Sequence, residues 1–139
     1  MKIHHQPVTV PTRWHGLHPI TELVTAEVQR SDLRQGLVSV YCQHTSCSLI
    51  ITENVDPAAR LDLEGWFNRL VPEGDPHFTH TVEGPDDMPS HIKTVLTHTS
   101  VTIPVKDGKL LLGDWQSIYL WEHRRKPHNR SLVITTLGE

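Results

Sequence analysis

The sequence predicts a single-domain α+β fold in which antiparallel β-sheets, packed in a sandwich-like way, carry about three helices. Three observations predict it. Strand-like segments outnumber helical ones, the strands of the last third are joined by short hairpin links, and 139 residues suit one hydrophobic core spanning residues 1–139.

The elements follow in order. Val8-Thr9-Val10 alternates as a short strand, and the segment from Ile20 to Arg30 sets Ile20, Leu23, Val24 and Val28 on one helical face before Ser31-Asp32 and Gly36 end it. Leu37 to Cys42 and Ser48 to Thr52 are rich in β-branched and aliphatic residues, so they read as strands, with the polar Gln43-His44-Thr45-Ser46 at their junction. Asp56-Pro57 is a helix start, Asp56 capping and Pro57 preset for the first turn, and Leu63, Trp66, Phe67 and Leu70 follow at helical spacing. Pro72 to Pro89 holds four Pro and two Gly without periodicity and reads as a long loop, a feature that compact domains keep mainly for function. A shorter helix is expected from Ser90, with Ser90 as N-cap and Ile92, Val95 and Leu96 buried. Ser100 to Val105, an Asp107-Gly108 type I′ turn, Lys109 to Leu112, Trp115 to Glu122 and Ser131 to Leu137 complete the strands.

Composition narrows the function. With 37% hydrophobic and 21% charged residues the chain has a globular profile, and a formal charge of −3 with interleaved signs offers no extended positive field for a phosphate backbone, so nucleic acid is excluded as a partner. The basic cluster Arg124-Arg125-Lys126 reads first as a solvated loop, with an anion clamp as the alternative. No stretch approaches the roughly 20 apolar residues of a membrane span, and Met1 to Gln6 leads into no apolar signal-like region, so no membrane partner and a cytoplasmic location are expected. Cys42 and Cys47, five apart, match neither a redox nor a zinc pair and read as reduced structural thiols.

Histidine is the outlier, with eleven residues, and it is the side chain that both ligates metals and titrates near neutrality. His44, His80 and His91 are the candidate metal ligands for a catalytic divalent site, which typically uses three protein donors and leaves a position open. Taken singly, each also reads as a solvated or hydrogen-bonded side chain. His91 stands out because Asp86-Asp87 precede it near a helix start, where a carboxylate can orient an imidazole. Glu53 and Glu122 are candidates because an inward carboxylate is costly unless paired or metal-bound; pairing with an arginine such as Arg130 is the competing reading. His4, His5, His15, His18 and His128 read as surface residues, and the four tryptophans as core or interface packing.

Three runs make the chain recognisable: His44 to Asn54, Glu83 to Lys93, and Leu112 to Gln116 with Trp121-Glu122-His123. Together they closely resemble the YjbQ-like family, also called the secondary thiamine-phosphate synthase family, over nearly the whole chain from Trp14 onward. The resemblance implies a homotrimer and weak synthesis of thiamine phosphate from a hydroxymethylpyrimidine diphosphate and a thiazole phosphate. It places the family's motifs on His44-Thr45, on Asp86-Asp87 with His91, and on Gly113 to Gln116; the upstream loop histidine falls on His80, with His77 as the alternative.

The expected activity is a metal-assisted transferase. In it His44, His80 and His91 hold a divalent ion, zinc or another transition metal, and Thr45, Ser46 and Arg130 bind a small anionic, phosphorylated ligand. Asp87 and Glu53 orient ligands or water, and Gln116 and Glu122 line the pocket. The rivals are a metabolite-binding trimer without significant turnover and a metal-dependent phosphohydrolase.

Overall fold

A computed structural model describes residues 1–139. Eight strands and three helices follow in the order β1 (Lys2–Thr12), β2 (Gly16–Pro19), α1 (Thr21–Ser31), β3 (Gln35–Cys42), β4 (Cys47–Glu53), α2 (Pro57–Leu70), α3 (Asp87–Leu96), β5 (Ser100–Lys106), β6 (Lys109–Leu110), β7 (Gln116–Glu122) and β8 (His128–Gly138). The strands form two sheets, ordered β1-β8-β3-β5-β6 and β2-β7-β4, and every pairing is antiparallel. The α+β class with antiparallel sheets and three helices is therefore the one the pattern predicts. No helix is long and apolar enough to cross a membrane.

Sequence periodicity explains the layering. Side chains of a strand alternate between faces, and in β8 Arg130, Leu132, Ile134 and Thr136 form the buried stripe. Of these, Leu132 and Ile134 meet Val38 and Val40 of β3, Ile103 and Val105 of β5, Leu49 of β4, Ile118 and Leu120 of β7, and Ile20, Val24 and Val28 of the first helix in one cluster between the sheets. β7 is buried on both faces. Its other face, Tyr119 and Trp121, packs with Leu17 against Phe67 and Val71 of the α2 region in a second cluster. A fully buried Phe67 contributes about 1.5–3 kcal/mol to this docking.

Local chemistry places most boundaries. Asp56 caps α2 by accepting from the Ala58 N–H at 2.9 Å, with Pro57 in the first turn. Asp107 and Gly108 both have positive φ, 53° and 74°, the type I′ geometry of the β5–β6 hairpin. The first strand runs much longer than the alternation of Val8 to Val10 suggests, because its outer residues pair with β8 although they bury little. The short strand β2 was not anticipated.

Helix α3 departs most from expectation. It begins at Asp87, three residues before Ser90, since Pro89 is tolerated in a first turn whose N–H groups have no helical acceptor. Ser90 is not the N-cap; its single hydroxyl proton is shared between the carbonyl oxygens of Asp86 (2.5 Å) and His123 (2.8 Å). The helix is also turned over. Its buried side carries Asp87, Pro89, Ser90, Lys93 and Thr94, while Val95 and Leu96 are 79% and 59% exposed. Small Ser90 and Thr94 let α3 lie close to β4, where the Thr94 hydroxyl reaches the Cys47 carbonyl, while Asp87 and Ser90 find their bonds at Arg124 and the His123 carbonyl just beyond β7.

Candidate metal centre

Three ligating side chains converge at the start of α3. Asp87 and His91 are one helical turn apart and so share a face, and the preceding loop brings His80 back over them. The Oδ2 atom of Asp87 lies 2.7 Å from His80 Nε2 and 2.9 Å from His91 Nε2, and one ligand atom of each residue falls within 4.8 Å of the others. The imidazole rings stand 5.4 Å apart. Asp87 is 2% exposed, whereas the His80 side chain is 40% exposed, so the group opens to solvent on one side.

Each member is held by an outer partner. The Nδ1–H of His91 donates to the Thr45 carbonyl at 2.8 Å, since a carbonyl can only accept. That assignment leaves Nε2 of the neutral ring with a lone pair, facing a carboxylate oxygen that also only accepts. Two acceptors at 2.9 Å need a cation or a second proton between them. The other oxygen of Asp87, Oδ1, accepts from Arg124 Nη1 at 2.7 Å. Burial opposes ionisation of Asp87, but the hydrogen bond from His80 and the charge of Arg124 outweigh it, so the carboxyl is held below its usual range. An imidazole tied to a backbone carbonyl and a carboxylate tied by one oxygen are the supports that metal ligands characteristically carry.

The remaining candidates are distributed differently. His44 lies beside His91, both lining a shallow hollow with Thr45 and Thr94, but it is not in the triad. Burial first, then the Arg130 charge, keeps its pKa low, and its Nε2 accepts from the Ser131 N–H at 2.7 Å. In this neutral ring the proton sits on Nδ1, so neither nitrogen has a lone pair free for an ion. Thr45 and Ser46 contribute carbonyl oxygens rather than hydroxyls, the first to His91 and the second to Arg130 Nη2 at 3.2 Å.

Glu122 and Arg130, expected to line the pocket and to bind phosphate, are paired with each other. They close the inward stripes of β7 and β8, where Arg130 Nε meets Glu122 Oε1 at 2.7 Å and Arg130 Nη2 binds Oε2. The Thr12 hydroxyl donates to Oε1 at 2.5 Å and the Arg124 N–H to Oε2 at 3.2 Å, so the carboxylate is fully satisfied and completely buried. Glu53 and Gln116 face one another at the far end of the β4–β7 ladder, while Cys47 and Glu122 pair at the end near the triad. Six strand residues put them about 20 Å from it within one chain. There Glu53 accepts from the Asp56 N–H, and Gln116 accepts from the Gly113 N–H at 2.8 Å.

Arg124 is the residue of the candidate site that pattern reading missed. Instead of belonging to a solvated loop it grips Asp86 at 3.1 Å and Asp87 at 2.7 Å, with its side chain mostly buried. Its position directly after the Trp121-Glu122-His123 motif was the available signal. His77 stays outside the triad, its N–H turned to Asp75, and His18, expected at the surface, is buried against the Trp14 carbonyl. Trp121 packs in the core, while Trp14, Trp66 and Trp115 are exposed. Cys42 and Cys47 are free and buried, their sulfurs 3.4 Å apart.

Comparison with known proteins matches this architecture throughout. The family model described as UPF0047 protein YjbQ-like matches residues 6–139. A UPF0047 protein of Synechocystis sp. is 44% identical over 136 residues, covering 98% of this chain and 92% of its own length. The UPF0047 protein YjbQ of Escherichia coli O157:H7 is 38% identical over 139 residues, covering 98% and 99%. Among solved structures, a conserved hypothetical protein from Thermus thermophilus superimposes with a TM-score of 0.85 at 32% identity, covering 95% of this chain and 99% of that one.

Proposed function

The chain belongs to the UPF0047 YjbQ-like family, and from that premise we propose that it is a metal-assisted transferase acting on a phosphorylated small molecule, with His80, Asp87 and His91 as the metal ligands. The observation that carries the metal assignment is the His91 ring. Its Nδ1–H is committed to Thr45, which aims an Nε2 lone pair at Asp87 Oδ2, an arrangement that a shared cation makes favourable. A two-imidazole, one-carboxylate donor set suits zinc, manganese or iron, and such an ion, when bound, supplies Lewis-acid neutralisation of departing diphosphate charge. Arg124 keeps Asp87 ionised and fixes which oxygen faces the histidines. The exposed flank beside His80 leaves room for substrate. The motif resemblance narrows the reaction to a secondary thiamine-phosphate synthase, joining a pyrimidine diphosphate to a thiazole phosphate.

The same open flank favours a second reading, a phosphohydrolase in which water is the acceptor. The apolar Val95, exposed beside His91, and Leu96, exposed at the end of α3, support assembly with further copies, a homotrimer by the resemblance. The test is metal analysis followed by substrate screening. The transferase reading expects one metal per chain, lost in Asp87→Asn, and thiamine phosphate formed from the two phosphorylated precursors. Release of inorganic phosphate from generic esters instead supports the hydrolase, and tight binding without turnover leaves a binding trimer.

A further inference from the structure

Helix α3 has a second polar side that the triad does not use. At 100° per residue, Pro89 and Lys93 leave the helix nearly opposite Asp87 and His91, and they border a hollow of 560 Å³ between the ends of α2 and β7, within the size range of small-molecule sites. Its charged and titratable lining is His15, Glu73, Asp86, Lys93, His123 and Arg125. The two carboxylates are already answered: Glu73 by Arg125, and Asp86 by Arg124 Nε at 3.1 Å and the Arg125 N–H at 2.9 Å. Lys93 is not. It is 5% exposed, and its ammonium makes one hydrogen bond, to the neutral amide oxygen of Asn68 at 2.6 Å.

His123 adds a donor without an acceptor. Its Nε2 lies 2.9 Å from the buried Ser48 hydroxyl, whose single proton has no other acceptor and is donated to the ring. The ring proton is therefore on Nδ1, a buried N–H with no hydrogen-bond partner, on a residue 2% exposed that lines the hollow. An orphaned buried N–H is costly, and so is a buried ammonium whose partners, the Asn68 amide oxygen and the Phe67 ring face 5.6 Å away, carry no negative charge. Both groups are complementary to one kind of guest.

We propose that this hollow binds an oxyanion, the phosphate or carboxylate group of a small molecule, with Lys93 supplying the charge and His123 Nδ1–H a directed hydrogen bond. Burial and the nearby Lys93 charge keep the His123 ring neutral, so it meets the guest as a hydrogen-bond donor. The site is independent of the metal reading, because no triad residue borders it.

The test is nitrogen NMR of the histidine rings in the full-length protein, titrated with inorganic phosphate and, in parallel, with acetate. Saturable movement of the His123 Nδ1–H resonance with either anion is expected, and the stronger of the two identifies the group. Lys93→Met should weaken that binding at least tenfold, and His91→Ala should leave it unchanged. A His123 ring indifferent to both anions overturns the proposal without need of any variant, as does wild-type binding by Lys93→Met. Loss of binding in His91→Ala places the anion at the triad instead and equally overturns it.

Discussion

Replacing Arg130 with Met tests whether Glu122 and Arg130 form a structural pair or a ligand clamp. Met preserves the length of the side chain but removes every donor, leaving Glu122 fully buried with only the Thr12 hydroxyl and the Arg124 N–H as partners. Breaking a buried pair from one side costs about 3–5 kcal/mol, a large share of the roughly 5–15 kcal/mol available to a domain. With a urea slope of about 2 kcal/mol per M, the unfolding midpoint at pH 7 falls by about 2 M. The pH dependence sharpens the test. In the wild type burial alone raises the Glu122 pKa, but hydrogen bonds from Arg130 and Thr12 outweigh it and hold the carboxyl below its ordinary 4.5. A depressed folded value stabilises above the unfolded pKa and is lost as pH falls through the folded one. In the variant burial acts unopposed by the guanidinium, so the folded value rises and the protonated, neutral carboxyl removes much of the penalty below about pH 4.5. The gap between the two proteins in urea titrations should therefore be wide at pH 7 and narrow toward pH 4. A loss under about 1 kcal/mol at pH 7, or a gap that widens in acid, refutes the reasoning.

Other perturbations reach separate parts of the account. Asp56→Ala removes the cap of α2 and should lower stability by about 0.5–2 kcal/mol in denaturant titrations while leaving metal content unchanged. Gly36 has φ +154°, and a Cβ there would sit 2.0 Å from the Leu137 carbonyl in the β3–β8 ladder; overpacking of this kind typically costs about 1–3 kcal/mol, so Gly36→Ala should show at least that loss by thermal unfolding. Glu53→Gln and Gln116→Ala, about 20 Å along the strands from the triad, should keep full metal stoichiometry in purified protein. Leu96→Lys should reduce the assembled mass seen by light scattering if α3 lies in an interface between copies.

The fold was legible wherever one rule acted alone. β-branched and aliphatic richness gave β3 and β4, Asp56-Pro57 fixed the start of α2, and Asp107-Gly108 fixed a hairpin. Helix α3 was misread because the apolar Ile92, Val95 and Leu96 suggested a buried face, whereas tertiary bonds to Asp87, Ser90 and Thr94 select the polar one. Part of the site was readable from local spacing: Asp87 and His91 share a helical face, and the acidic pair before a histidine marked them. Long-range assembly was not readable. Whether Arg130 meets phosphate or Glu122 depends on the register of two strands in different sheets, and whether His44 offers a lone pair depends on the Ser131 N–H 87 residues away. The tyings of Arg124 and Lys93 were hidden for the same reason, since charged residues in a loop or on a short helix carry no mark of burial.

X-ray absorption spectroscopy of the zinc-loaded protein examines the triad most directly. Two imidazole nitrogens at about 2.0–2.1 Å and carboxylate or water oxygens at about 2.0–2.2 Å, with no sulfur, are expected, and the first shell should change in His91→Ala but persist in His44→Ala. A sulfur shell at about 2.3 Å, or a spectrum unaltered by the loss of His91, would contradict a metal centre built from His80, Asp87 and His91.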